Sequence, residues 1–254
     1  MEMDVVFAIA SHKRPEMLQR HTLSMLRRHS IDMKHVHVFA SAVEDYMAIS
    51  HQLGFHLHIG GKEGITQARN DIIQHFAHGQ HIVELDDDVE DIVQFNGKTS
   101  TPIQDLQEFI NVSFAKIGTE GLWGICATAN AFYASGKDQF GPRSIINSFL
   151  GYINNKNIVL TVTEKEDFQR VCQFHALGLP VLKRGTAGVV TRYWYNPGGI
   201  QNRRSFQQRK VAQRESADAL MALYPGMFRM QTRRNGITDI LFVPKRTGRT
   251  EATS

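Results

Sequence analysis

Strand-like and helix-like segments alternate four times over the first 90 or so residues, and that rhythm leaves few folds open to the chain. Asp4 to Ala10 is apolar after its first residue, the mark of a strand covered on both faces. A polar turn, Ser11-His-Lys-Arg-Pro-Glu16, follows, and Pro15 suits the first position of a helix. Met17, Leu18, His21, Thr22, Met25 and Leu26 then form one helical stripe. Lys34–Ser41 and Phe55–Ile59 read as further strands, and Val43–Leu53 as a helix between them. After a flexible Gly60–Gly64 loop, Ile65–His78 reads as a helix with Ile65, Ala68, Ile72, Ile73 and Phe76 inward. The alternation predicts an α/β fold with a doubly wound, largely parallel sheet flanked by helices.

The pattern loosens downstream. The sequence predicts a turn or loop over Gly97–Pro102, a helix over Ile103–Ile117 and a strand over Leu122–Ala127. Ala131–Ser148, with its Gly and Pro, is expected to be a mobile loop. Ser148–Thr163 should hold one or two strands around a hairpin turn at Asn154–Asn157. A helix is expected over Glu164–Leu177, a strand over Pro180–Val190, a basic helix over Ser205–Leu223, and two short strands at the end. A chain of 254 residues accommodates this as one domain.

The fourth strand carries the most chemistry. His81-Ile-Val-Glu-Leu-Asp-Asp-Asp-Val89 is an apolar run ending in three consecutive carboxylates. Side chains two apart on a strand share a face, so Asp86 and Asp88 should project together while Asp87 points away. The carboxyl ends of strands are where open α/β sheets bind ligands. Two hard oxygen donors there suit Mg²⁺ or Mn²⁺. A solvated acidic turn would use the same residues.

Composition narrows the setting. No apolar run approaches the roughly 20 residues that span a bilayer, and the acidic start, Met1-Glu-Met-Asp4, lacks the cations of an export signal. Cys126 and Cys172 are far apart with no metal-type spacing, so a reducing, cytoplasmic compartment is expected. Charge is split unevenly. From Val181 onward 14 Lys and Arg face 4 Asp and Glu, whereas the first 180 residues hold 15 against 21. The basic third is expected to meet something anionic, with nucleic acid the first candidate.

The Ser11–Pro15 turn after the first strand, Gly64-Ile-Thr-Gln-Ala-Arg-Asn70 on the helix before the acids, and Leu85-Asp-Asp-Asp88 occur in an order that resembles the GT-A class of glycosyltransferases. The match covers about the first 95 residues. It implies a Rossmann-like mixed sheet whose nucleotide-sugar half is 1–95 and whose acceptor half is 96–254, basic from about 181. Ser11 would then bond the base or ribose, with Lys13, Arg14, Arg69 and Asn70 toward the nucleotide phosphates. Asp86 and Asp88 would hold Mn²⁺ or Mg²⁺ on the diphosphate of a UDP-sugar, with Asp87 beside them against the nucleotide.

Farther on, Glu166-Asp167, Tyr195-Asn-Pro-Gly-Gly-Ile-Gln201, Arg203-Arg204 and Leu223-Tyr-Pro225 resemble the glycosyltransferases associated with TET/JBP-type dioxygenases in phages and kinetoplastids. That resemblance implies transfer of a sugar, glucose, to hydroxymethylated pyrimidines of DNA. Asp167, with Glu166, would be the base that an inverting transfer needs. Tyr195, Gly198, Gly199, Arg203, Arg204 and Arg209 would line the DNA side, where cations follow phosphates and an aromatic such as Tyr193, Trp194 or Tyr195 stacks on a displaced base. Two other readings stay open: the same fold acting on a glycan, lipid or protein acceptor, and a non-catalytic nucleic-acid-binding protein with structural acids.

Overall fold

A computed structural model describes residues 3–61, 64–191, 206–233 and 236–243. Strand β1 (Val5–Ser11) is buried along its whole length and is the hub of the amino-terminal half. It pairs in parallel with β2 (Val36–Ala40) on one side and β4 (His81–Asp86) on the other, and β3 (His56–Ile59) extends β2 as the edge strand. The intervening helices are α1 (Pro15–Leu18), α2 (Ser24–Arg28), α3 (Met47–Leu53) and α4 (Ile65–His75). Pro15 does sit in the first turn of α1. Between α1 and α2, Gln19–Leu23 winds as a π-helical turn.

The other half departs from a parallel plan. The sheet runs β3-β2-β1-β4, then β9 (Phe149–Ile153), β7 (Leu122–Cys126), β10 (Val181–Val190), β5 (Asp91–Asn96) and β6 (Thr99–Pro102), with β8 (Gln139–Phe140) also on β10. Strand β9 (Phe149–Ile153) inserts antiparallel between β4 and β7 (Leu122–Cys126). Strand β10 (Val181–Val190) then runs parallel to β7. The ten strands form a mixed sheet flanked by helices, as the GT-A resemblance implied, and the parallel pairing that the alternation predicted is confined to β3-β2-β1-β4 and the β7–β10 pair. Residues 97–102, expected to be a turn or loop, belong to a hairpin of β5 (Asp91–Asn96) and β6 (Thr99–Pro102) around Gly97, which takes a positive φ of 61°. Within the expected loop 131–148 lie a 3₁₀ turn, Ala131–Tyr133, and the short strand β8 (Gln139–Phe140). Residues 158–165 form no strand, so Asn154–Asn157 is not a hairpin turn.

Two apolar layers cover the sheet. Leu18, Leu23, Leu26, Ile110, Phe114 and Trp123 pack on one face with α1, α2 and α5 (Leu106–Ile117). Ala68, Ile72, Val171 and Phe174 cover the other with α4 and α6 (Glu166–Ala176). Asp105 caps α5 by accepting the amide of Glu108 at 2.8 Å. Gly151 lies opposite Trp123 on the neighbouring strand, and a Cβ there would collide with the indole. A third cluster joins α6 to α7 (Phe206–Leu223) and to the hairpin of β11 (Phe228–Thr232) and β12 (Thr238–Phe242).

Candidate active site

The carboxyl ends of β1, β4 and β10 share one edge of the sheet, and the acid triplet sits there. Strand β4 stops at Asp86, and Asp87-Asp88 form a turn. The alternation that set Asp86 and Asp88 on one strand face therefore ends before it reaches Asp88. Side-chain bonds fix the turn instead. Thr22, in the π-helical turn, donates to the Asp86 carbonyl at 2.8 Å and accepts the Val89 amide at 3.0 Å. A turn held at both ends orients its carboxylates without help from a strand.

Asp87 is fully buried and joins the turn after β1. It accepts from Ser11 Oγ at 2.6 Å and from the Arg14 guanidinium, while Tyr46 Oη lies 2.8 Å from Ser11 Oγ and accepts the Arg14 amide at 2.9 Å. Burial pushes the Asp87 carboxyl up to about 7 against the pull of Arg14. Ser11 and Asp87, expected against the nucleotide, thus face each other in the interior. Arg14 also reaches toward Asp88, 3.7 Å away, and Thr191 at the end of β10 donates to Asp88 at 3.2 Å. Lys13 is exposed and takes a left-handed φ of 52°. Such backbone is uncommon for a side chain longer than Asn, and it aims the turn.

Asp86 faces α4 and α6. One of its oxygens accepts from Arg69 and the other from Ser148 Oγ at 2.8 Å, and its side chain stays 30 % exposed. Arg69 is buried and spans two acids of β4, since its other terminal nitrogen lies 2.9 Å from Glu84. Burial alone would lower the Arg69 guanidinium, but Glu84 and Asp86 hold it above its ordinary value. Glu84 is also gripped by Arg170, through two bonds of 3.0 Å, and by Tyr152 Oη at 2.8 Å. The partners of Glu84 and Asp86 on β1 are Ala8 and Ala10, small residues beside which the arginines have room.

Helix α6 opens with Glu166 and Asp167. Glu166 accepts from Asn147 at 3.0 Å and lies within electrostatic reach of Arg69 and Asp86. Burial raises its carboxyl above the ordinary range, while Arg69 pulls it back. Asp167 is pushed to about 7 by burial and by the charge of Glu166. Lys165, immediately before them, adopts a left-handed φ of 62° and anchors its ammonium on Asp239 of β12 at 3.1 Å. Strain of this kind gathers at sites that the surroundings over-determine.

Two expected residues have other occupations. Asn70 turns its amide on the backbone of Leu160, donating at 2.8 Å and accepting at 2.9 Å, and so braces the segment before α6. Arg209 lies half-buried on α7. Tyr195, Gly198, Gly199, Arg203 and Arg204, with Tyr193 and Trp194, lie outside the described residues. Sequence reasoning missed Thr22, Tyr46, Glu84, Ser148, Tyr152 and Arg170. Only Glu84 carried a signal, an acid inside an otherwise apolar strand.

No protein-family model and no curated protein sequence matches the chain. Among solved structures, CMP:2-keto-3-deoxy-manno-octonic acid synthetase complexed with CTP is similar at 11 % identity and a TM-score of 0.42, over 86 % of this chain and 98 % of that one. So slight a likeness bears no functional weight.

Proposed function

We propose that the chain is a metal-dependent glycosyltransferase that moves glucose from a UDP-sugar to the hydroxymethyl group of a modified pyrimidine in DNA. One observation carries the reading. At a single edge of the sheet, partly exposed Asp86 and Asp88 adjoin two arginines and the raised carboxyl of Glu166. Hard carboxylate oxygens that remain open to water fit Mn²⁺ or Mg²⁺, unlike the sealed oxygens of Glu84. Asp86 and Asp88 would hold the ion, which would supply positive charge opposite a departing diphosphate.

The chain's own groups do the rest. A carboxylate at the start of α6 takes the proton of the acceptor hydroxyl as its oxygen bonds to the anomeric carbon. The bond from that carbon to the diphosphate breaks, and the electron pair leaves with the nucleotide. The electrostatic contact of Glu166 with Asp86 and Arg69 supports it over Asp167 as that base. Arg14, 3.7 Å from Asp88, would supply a cation for phosphate oxygens. The excess of Lys and Arg beyond Val181 supports a DNA acceptor, whose backbone needs cations along it.

The test is incubation of the full chain with radiolabelled nucleotide sugars and hydroxymethylated or unmodified DNA, with and without Mn²⁺. Label should enter only the hydroxymethylated DNA, and only with the ion. Transfer to a glycan or lipid instead would replace the acceptor, and no transfer with any donor would remove the activity.

A further inference from the structure

At the β3 edge of the sheet, three strands from the one that carries the acids, four of the chain's twelve histidines gather. His56 and His58, two apart on β3, share its face, and His37 of β2 stands in register with His56. His75 comes from the last turn of α4, six residues past Arg69 and so about 9 Å farther along the helix axis. The cluster is thereby separate from the acid triplet.

The rings crowd together. Their centroids are 5.1 Å apart for His37 and His58 and 4.2 Å for His58 and His75. His37 Nδ1 and His58 Nε2 approach to 2.9 Å, and one ligand nitrogen from each of His37, His58 and His75 lies within 4.8 Å of the others. A tetrahedral zinc ion with bonds of 2.0–2.1 Å needs nitrogens about 3.4 Å apart, a spacing between these two distances that small side-chain rotations supply. We propose that His37, His58 and His75 bind one borderline transition-metal ion of the Zn²⁺ type, leaving its fourth position for water or His56.

Three observations agree with this. Imidazole nitrogen is a preferred donor for Zn²⁺, Ni²⁺ and Cu²⁺ and a poor one for Mg²⁺, so the two sites would sort different ions. His37 and His58 are half-buried and His75 is exposed, so an ion could reach the clustered nitrogens from solvent. Phe39 and Phe76 wall the cluster at ring distances of 4.8 Å from His58 and 4.9 Å from His37. An ion there would tie the edge strand β3 to β2 and α4, and its role would be to hold that edge.

Titration of chelator-stripped full chain with Zn²⁺ by calorimetry, and with Co²⁺ by visible absorption, tests the proposal. A single saturable ion per chain is expected, with the intense bands of four-coordinate cobalt. Even loss of an outer partner of a ligand weakens metal sites 10–100-fold, so His58→Ala and His75→Ala should each weaken uptake at least about ten-fold. His75 is exposed, so its variant keeps the fold, and zinc should raise the thermal midpoint of the wild type but not of that variant. Asp86→Ala should leave the zinc isotherm unchanged. No saturable uptake at about 100 μM, or uptake that survives both histidine variants, would overturn the site.

Discussion

Glu84 and Asp86 stand two residues apart on the same strand, point to the same face and share Arg69, yet they live in different worlds. Glu84 is sealed from water and saturated by two arginines and a tyrosine. Asp86 keeps nearly a third of its side chain exposed at the strand's end. Removing charge from water is costly unless every lone pair is met, so Glu84 has the profile of a group that holds the fold. A carboxylate with one face open can still accept a ligand. The contrast suggests how one strand serves both purposes: its interior acid fixes the arginine, and the arginine then fixes the acid beyond it.

The largest effect that tests the contrast is loss of activity. Asp88→Ala should abolish sugar transfer while the urea midpoint moves by no more than about 0.5 kcal/mol in stability. Full transfer by that variant would end the metal proposal. Glu84→Ala should do the reverse to the fold, because Arg69 and Arg170 would be left buried without their shared partner. A loss of about 3–5 kcal/mol is expected in urea unfolding, and an unchanged midpoint would show that water reaches this cluster.

Glu166→Gln should lower turnover about 10²-fold with little change in unfolding, and Asp167→Asn should lower it less. The opposite ranking would return the base role to Asp167. Stability should also depend on pH through Asp167, whose carboxyl rises from 3.8 to about 7 on folding. Between those values the native state keeps a proton that the unfolded chain has lost. Stability therefore falls as pH climbs through that window and is level above it. Thermal midpoints of Asp167→Asn should show a shallower decline, the remainder coming from Asp87. The smallest effect belongs to a pair with no such burial. Arg214 and Asp218, exposed one turn apart on α7, should contribute about 0.3–0.5 kcal/mol, and less in high salt.

Local signals carried the amino-terminal half into view. Continuous apolar runs marked β1 and β4, Pro15 marked the start of α1, and the acids marked the strand end. The carboxyl-terminal half was less legible because its pairings are long-range. Nothing near Phe149–Ile153 says that it will lie antiparallel between strands that end at residues 86 and 126. The β5–β6 hairpin did carry a cue, Asn96-Gly97, a favoured dipeptide for tight turns. At the site, the acids were readable as a motif, but their clamps were not. Thr22, Tyr46 and Arg170 come from elements whose contacts only tertiary packing creates, and Ser11 and Asn70 look the same in sequence whether they meet a nucleotide or the interior.

The reversed strand β9 has a bearing on how the molecule is born. Its slot lies between two strands that precede it in the chain, so the middle of the sheet stays open until residue 153 has been made. A chain emerging from the ribosome carries β4 with unpaired amides along one side during that interval, a template for pairing with another copy. Synthesis that stalls before Phe149 should therefore yield aggregates, whereas release after Ile153 lets the central seam close.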